Sequence, residues 1–244
     1  MDKIEHLKNY WRPDGISQFG EASILDEILR RVGDGNRLCF ECGAWDGVHL
    51  SNVHHLWKEK GWRALLVEAD EARANKPIAA NDFDTLERVK LQHGRIVPGL
   101  YNLQHLEEMP HVVSIDVDGN EYHILEDFLE HTNQRPGVII VEYNPTMPPN
   151  VRLVGKKDKP IGASLGAFVW LLRKDYMLVY ATETNAFFIY RNWADLFRPY
   201  DVAEVLQYGY LNFVMTDYAG RATEYGQFHY GKTGEPLRLS DFEL

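Results

Sequence analysis

Short apolar runs that stop at an acid or a small residue alternate along this chain with stretches whose apolar residues recur every three to four positions. Ile24, Leu25, Ile28, Leu29 and Val32 share one helical face, with Ser17 as candidate N-cap and Gly33 as the stop. The run beginning at Leu38 ends in Glu41-Cys42-Gly43, and Ser51 to Lys60 reads as a helix closed by Gly61. Ala64-Leu65-Leu66-Val67 stops at Glu68. Residues 71–93 are polar and read mostly as helix, with a short third strand at Arg95 to Val97. Val112-Val113-Ser114-Ile115 runs into Asp116-Val117-Asp118-Gly119-Asn120, and a helix from Glu121 carries Tyr122, Ile124, Leu125, Phe128 and Leu129 on one face. Val138-Ile139-Ile140-Val141 runs into Glu142-Tyr143-Asn144-Pro145. A helix over about Ser164 to Lys174 follows, then Tyr176 to Ala181 and Ala186 to Tyr190 flank Thr182-Glu183-Thr184-Asn185 as a hairpin.

Continuous apolar runs ending in acids are what parallel strands buried on both faces look like, and a terminal hairpin adds an antiparallel last strand. The expectation is an α/β protein with an open sheet. It divides into a helical leader (1–37), a core (38–191) and a C-terminal extension (192–244). The extension is rich in rings, among them Trp193, Tyr200, Tyr208, Tyr210, Tyr218, Tyr225 and Tyr230, which suit a sugar-stacking or dimer surface or a packed appendage. At 244 residues, 45% hydrophobic and 12% aromatic, the chain has ample material for a core. With 26 basic and 36 acidic residues it carries −10, which argues against a nucleic-acid acceptor. The longest apolar stretch, Leu165 to Leu172, is too short to span a bilayer, and the first residues hold no apolar signal region, so a cytoplasmic protein is expected. Cys39 and Cys42 lie along a predicted buried strand, where residues three apart face opposite sides; they read as core thiols rather than a redox or zinc pair.

The turn after the first strand carries the chemistry. A dinucleotide's pyrophosphate wants G-x-G-x-x-G opening a helix, but here Gly43 and Gly47 enclose Ala44, Trp45 and Asp46, with Glu41 just before them. Carboxylates there repel a pyrophosphate and suit an ammonium, a sulfonium and ribose hydroxyls, the groups of S-adenosylmethionine (SAM). Glu68, at the carboxyl end of the second strand, is placed to take both ribose hydroxyls. The competing reading is an ordinary strand-turn-helix with a packing glycine.

Glu41-x-Gly43-Ala44-x-x-Gly47, Glu68 and Ile115-Asp116-Val117-Asp118-Gly119-Asn120-Glu121 resemble the FkbM-type SAM-dependent methyltransferases, whose fourth-strand signature is similar to I-D-V-E-G-x-E. The leader Ser17-Gln18-Phe19-Gly20-Glu21 resembles the segment before the first strand in bacterial relatives of that group. The resemblance covers roughly residues 17 to 190. It implies the seven-stranded methyltransferase fold, SAM held by residues that include Gln18, Glu41, Gly43, Ala44, Asp46, Gly47, Glu68 and Asp116, and O-methylation of a sugar, glycan or natural-product hydroxyl. Asp118 and Asn120 depart from the signature's glutamate and small residue, and nothing after about Asn192 matches a named motif.

Asp116 and Asp118 follow one strand, and Glu142 and Asn144 follow its neighbour. Hard oxygen ligands converging there, with Asp118, Glu142 and Asn144 as the set, would hold Mg²⁺ or Mn²⁺. The arrangement resembles the metal-assisted O-methyltransferases, in which the ion orients adjacent hydroxyls and lowers the pKa of the attacking one. The alternative gives Asp116 a cofactor or capping role and makes Asp118-Gly119-Asn120 a turn. Proton removal from the acceptor falls to Glu121 or His123, with Asp116 beside them; His54, His55, His93 and His105 lack such a placement. The segment Pro145 to Ser164 sets Arg152, Lys156, Lys157 and Lys159 against Asp158, a basic loop that can overhang the site and attract an anionic acceptor or simply be solvated. An amino-methyltransferase and a non-catalytic SAM-fold partner subunit are the other functional classes considered; an oligomer is compatible with either.

Overall fold

A computed structural model describes residues 4–75, 87–96, 108–132, 134–157, 159, 161–207, 213–216, 222–225 and 242–243. At its centre is a seven-stranded sheet with strands β1 (Leu38–Cys42), β2 (Arg63–Glu68), β3 (Val89–His93), β4 (Val112–Ile115), β5 (Val138–Glu142), β7 (Tyr176–Ala181) and β8 (Asn185–Tyr190), in the order β3-β2-β1-β4-β5-β8-β7. β1 to β5 pair in parallel and β8 runs antiparallel to both β5 and β7. This is the α/β sheet that the apolar runs and the terminal hairpin predict. It is also the sheet of the seven-stranded methyltransferase fold.

The central strands read clearly because they are buried on both faces: every residue of β4 and β5 is buried. Between β2 and β4, β1 packs by its register on both neighbours, Phe40 opposite Leu65 and Val113. Cys39 and Cys42 are buried free thiols, as expected, and burial raises both above the usual thiol range.

The helices are shorter than their apolar patterns suggest. α1 spans Glu21–Val32 and ends at Gly33, but its N-cap is Gly20, at φ 77°, and not Ser17. Ser17 instead donates its hydroxyl to Asp14, whose carboxylate also accepts the Ile16 and Ser17 amides at 2.8 and 2.7 Å. α2 covers only His54–Lys58, because Ser51 and Asn52 are held by Glu41 before the helix can begin. In the polar stretch 71–93, α3 is Glu71–Ala74, residues 76–86 lie outside those described, and β3 stands at Val89–His93 rather than Arg95 to Val97. β3 is an edge strand with Val89 buried and Lys90 exposed. One buried face gives too few apolar residues to mark a strand. Val97 itself lies outside the described residues. α4 (Glu121–His131) buries Tyr122, Ile124, Leu125 and Phe128, and α5 (Leu165–Leu172) is capped by the Ser164 hydroxyl on the Ala167 amide.

Leu7 of the leader and Phe197, Tyr200 and Val205 beyond the sheet join the same buried cluster as the strands. Further on, β9 (Phe213–Thr216) pairs with β10 (Ala222–Tyr225), and β11 (Phe242–Glu243) pairs with β6 (Val154–Gly155). Tyr208, Tyr210, Tyr218 and Tyr230 lie outside the described residues, as do His105 and Asp158. No helix among the described residues is long and apolar enough to cross a membrane.

Candidate functional site

The strand order reverses between β1 and β4, and there the crevice at the carboxyl ends opens into a cavity of about 380 Å³. Cys42, Gly43, Trp45, His49 and Leu50 line it from the end of β1 and the turn beyond; Val67, Glu68 and Ala69 line it from β2. Arg73 of α3, and Gly94, Arg95 and Ile96 after β3, form another wall. Asp116, Val117, Asp118 and Asn120 enter after β4, Glu142 at the end of β5, and Gln18 from the leader.

Backbone strain gathers here. Of the four non-glycine residues with positive φ among those described, Trp45 (51°), Leu50 (57°) and Asp118 (59°) are on the cavity wall, and Arg37 alone is elsewhere. Gly43 (φ 83°) has a further reason to be glycine. A Cβ there would sit 1.5 Å from the Asp116 carbonyl oxygen, so the ends of β1 and β4 approach too closely for any side chain. The Gly43 and Ala44 amides both donate to the Val67 carbonyl, at 2.9 and 3.0 Å, which ties the turn to β2 instead of aiming those N–H groups at a ligand.

The acids of this region divide into those that face the cavity and those that build its walls. Glu68 faces it. Its Oε2 accepts the Trp45 amide and its Oε1 the Asp70 amide, each at 2.8 Å, so the carboxylate is fixed in place with lone pairs left for a ligand. Glu41 does not reach the wall. It is buried, with Ser51 Oγ donating to Oε2 at 2.5 Å and the Asn52 amide to Oε1 at 2.8 Å, while the Asn52 side chain donates to Ser114 Oγ at 3.1 Å. Burial raises its pKa to about 7. Asp46 likewise turns away, accepting the Val48 and His49 amides on Oδ1 at 3.1 and 2.9 Å, and Ala44 and Gly47 are absent from the cavity lining. Of the residues expected to contact a cofactor, Glu41, Ala44, Asp46 and Gly47 thus stand off the cavity lining and within the turn that shapes it.

Asp116, Asp118 and Glu142 come together, with a carboxylate oxygen from each lying within 4.8 Å of the others. Asp116 is half-buried, Asp118 exposed and Glu142 buried. The Asp116 and Glu142 carboxyl groups interact directly, and both titrate above the ordinary range. For each, burial is the leading cause; repulsion from neighbouring acids adds to it. Asn144, expected as the third metal ligand, has a different task. Its Oδ1 accepts from the Thr146 amide and hydroxyl at 2.9 and 2.5 Å, and its Nδ2 donates to the Ile161 carbonyl at 2.7 Å, pinning the loop after β5. Asp116 is the third acid of the cluster. The orphaned oxygen on this wall belongs to Asn120, whose Oδ1 is buried without a hydrogen-bond partner.

Neither proposed base reaches the cavity. Glu121 is buried, accepting the Val117 and Gly119 amides on Oε1 at 3.1 and 2.6 Å, so it holds the acid loop from behind. His123 is buried within the fold, its Nε2 2.7 Å from the Gly155 carbonyl oxygen. A helix turns successive residues by about a hundred degrees, and the face that follows the last cavity residue, Asn120, points inward.

The basic loop flanks the site at its base, where the Gly162 amide donates to the Gly119 carbonyl at 3.2 Å. Lys156, Lys157 and Lys159 are exposed, whereas the Arg152 guanidinium stacks over Trp170 at 3.6 Å. Trp45, His49, Leu50, Arg73, Gly94, Arg95, Ile96 and Asn120 line the cavity without having been assigned to the site from the sequence. Gly94 to Ile96 could have been, since they follow β3 directly; the misplaced third strand hid them.

No protein-family model matches the chain, and no curated protein matches it. Among solved structures it is similar to an O-methyltransferase from Bacillus cereus in complex with S-adenosylhomocysteine (SAH), at 19% identity over 75% of this chain and 84% of that one, with a TM-score of 0.46. It is also similar to the SAH-bound Podospora anserina methyltransferase PaMTH1, at 14% identity over 75% and 87%, with a TM-score of 0.41. A third is the N-terminal domain of EvdMO1 in the presence of SAH and D-fucose, at 13% identity over 75% and 89%, with a TM-score of 0.45. At these levels the fold is read from the strand order and pairing themselves.

Proposed function

We propose that the protein is a SAM-dependent methyltransferase that methylates a hydroxyl of a sugar, glycan or natural-product acceptor. The observation that carries this reading is Glu68, a carboxylate fixed by two backbone amides at the end of β2 and opening into the cavity at the strand-order reversal. A rigid, negative acceptor there suits the paired hydroxyls of a ribose. Four acids, Glu68, Asp116, Asp118 and Glu142, line the wall against two arginines, Arg73 and Arg95, and the Gly43 and Ala44 amides that would meet a dinucleotide's pyrophosphate are already taken by Val67.

The Asp116, Asp118 and Glu142 cluster fits a hard divalent cation such as Mg²⁺ or Mn²⁺ by donor type and by the mutual repulsion of its acids, and the orphaned Asn120 oxygen adds a neutral donor to the same wall. Bound there, the ion would orient adjacent acceptor hydroxyls and increase the acidity of the attacking one. Lys156, Lys157 and Lys159 beside the site would favour an acceptor that bears an anionic group. Methyl transfer otherwise asks the fold to align a hydroxyl oxygen behind the sulfonium methyl group, so that the O–C bond forms as the S–C bond breaks to give SAH, and to pass the hydroxyl proton to a wall carboxylate or to solvent.

Titration calorimetry with SAH tests the cofactor. Wild-type protein is expected to bind it, and Glu68→Ala to bind about tenfold more weakly, because the ribose loses charge-assisted hydrogen bonds. Binding of NAD without any binding of SAH would overturn the reading.

A further inference from the structure

Glu68 does more than face the cavity: its two oxygens fasten two separate segments, the Trp45 turn through one amide and the start of α3 through the Asp70 amide. Asp70 in turn caps α3, its Oδ1 accepting the Ala72 and Arg73 amides at 2.9 and 3.1 Å. The side chains these segments carry then meet. The Arg73 guanidinium carbon lies 3.5 Å from the centroid of the Trp45 ring, and both residues are on the cavity wall next to Glu68. Trp45 reaches this position only by taking a left-handed backbone, φ 51°, which a bulky residue adopts at a cost. The edge-on packing of its ring with His49, with centroids 4.8 Å apart, holds it from another side.

We propose that the Arg73 guanidinium, backed by the Trp45 ring, is the surface on which the purine of the bound nucleoside stacks. The inference rests on the cofactor reading above and adds to it a site for the base. A guanidinium is planar and weakly hydrated, so with one face against an indole its other face takes a second π system. A ribose held at Glu68 would have this pair beside it, because the Glu68 carboxylate is bonded to the amide of Trp45 itself and to that of Asp70, which caps the Arg73 amide, and all of Trp45, Glu68 and Arg73 line one wall. Binding energy of this kind depends on the plane of Arg73, not on its charge alone.

Calorimetry with two ligands, SAH and 5′-methylthioadenosine, tests this in the full-length protein, with melting curves confirming that each variant is folded. Arg73→Ala and Arg73→Lys are expected to weaken both ligands by the same factor, about tenfold, since the stacked base is common to both and lysine keeps the charge without the plane. Trp45→Ala, which removes the backing, is expected to weaken both several-fold, and Trp45→Phe to stay near wild type. A change in tryptophan emission on titrating wild type with SAH should lose one component in Trp45→Phe. Arg73→Lys binding as wild type, or an Arg73→Ala loss confined to SAH, overturns the proposal while leaving the cofactor reading intact. Wild-type protein that binds neither ligand overturns both.

Discussion

Glu41 and Glu68 are both acids near the ends of neighbouring strands, yet only one faces the cavity, and the register explains why. Glu68 is the last residue of β2, at the carboxyl edge of the sheet, whereas Glu41 pairs with Leu66, two residues short of Glu68, so it lies deeper on the same face, beneath the turn. There it is buried and raised from 4.5 to about 7. A carboxyl group whose folded pKa is raised adds stability below its unfolded pKa, and that contribution is lost as pH rises through the folded value. Between about pH 4.5 and 7 wild type should therefore lose at most about 3 kcal/mol through this group. Glu41→Gln keeps an acceptor for the Asn52 amide and cannot ionise. Urea midpoints of the two proteins measured from pH 5 to pH 8 should diverge, with the variant gaining on wild type as pH rises. Parallel midpoints would mean that Glu41 keeps its proton, or has already lost it, across the whole range.

The ends of β4 and β5 show the same logic at the level of elements. Two strands bring Asp116, Asp118 and Glu142 together, and burial first, with repulsion from neighbouring acids added to it, leaves Asp116 and Glu142 titrating high. A divalent cation would relieve that repulsion. At a hundredfold excess over its Kd it should stabilise the fold by about 2.7 kcal/mol, a rise in Tm of roughly 5–10 °C for a chain of this size. Mn²⁺ at pH 8 is expected to raise Tm, EDTA to reverse the rise, and Glu142→Ala to abolish it; a wild-type Tm indifferent to Mn²⁺ returns these acids to a purely structural role. Strands of this kind were legible in the sequence because both faces are apolar, and their acids because they interrupt the runs. The one-sided β3 was not legible, and neither was the late start of α2, where Glu41 captures Ser51 and Asn52 by contacts no local pattern encodes. Glu121 and His123 were legible as helix residues near the site, but which face of α4 turns inward depends on its packing against the sheet and α5.

Across the whole molecule, the cavity is completed by a segment far from it in sequence. The part of the leader ahead of α1 reaches the carboxyl edge: Ser17 forms an isolated bridge to Leu50, and Gln18 joins the wall. What anchors it is Glu21, fully buried at the start of α1. Its Oε2 accepts the Phe19 amide at 2.7 Å, and its Oε1 accepts from Thr182 Oγ1 at 2.8 Å and Asn185 Nδ2 at 3.3 Å. One carboxylate thus ties the leader to the turn between β7 and β8, at the opposite end of the chain's core. Removing it takes one acceptor each from the Phe19 amide, the Thr182 hydroxyl and the Asn185 side chain, and hydrogen bonds to a carboxylate are worth about 1.5–3 kcal/mol. Glu21→Ala should lose about that much stability, and Glu21→Gln less, since the amide keeps one acceptor oxygen in the same place. Because Gln18 and the bridge to Leu50 depend on the same turn, SAH affinity should fall together with Tm in Glu21→Ala and be largely retained in Glu21→Gln. Calorimetric affinity and melting curves on the two variants separate the cases: a Glu21→Ala protein that melts early but binds SAH as tightly as wild type would show that the leader stabilises the fold without completing the site.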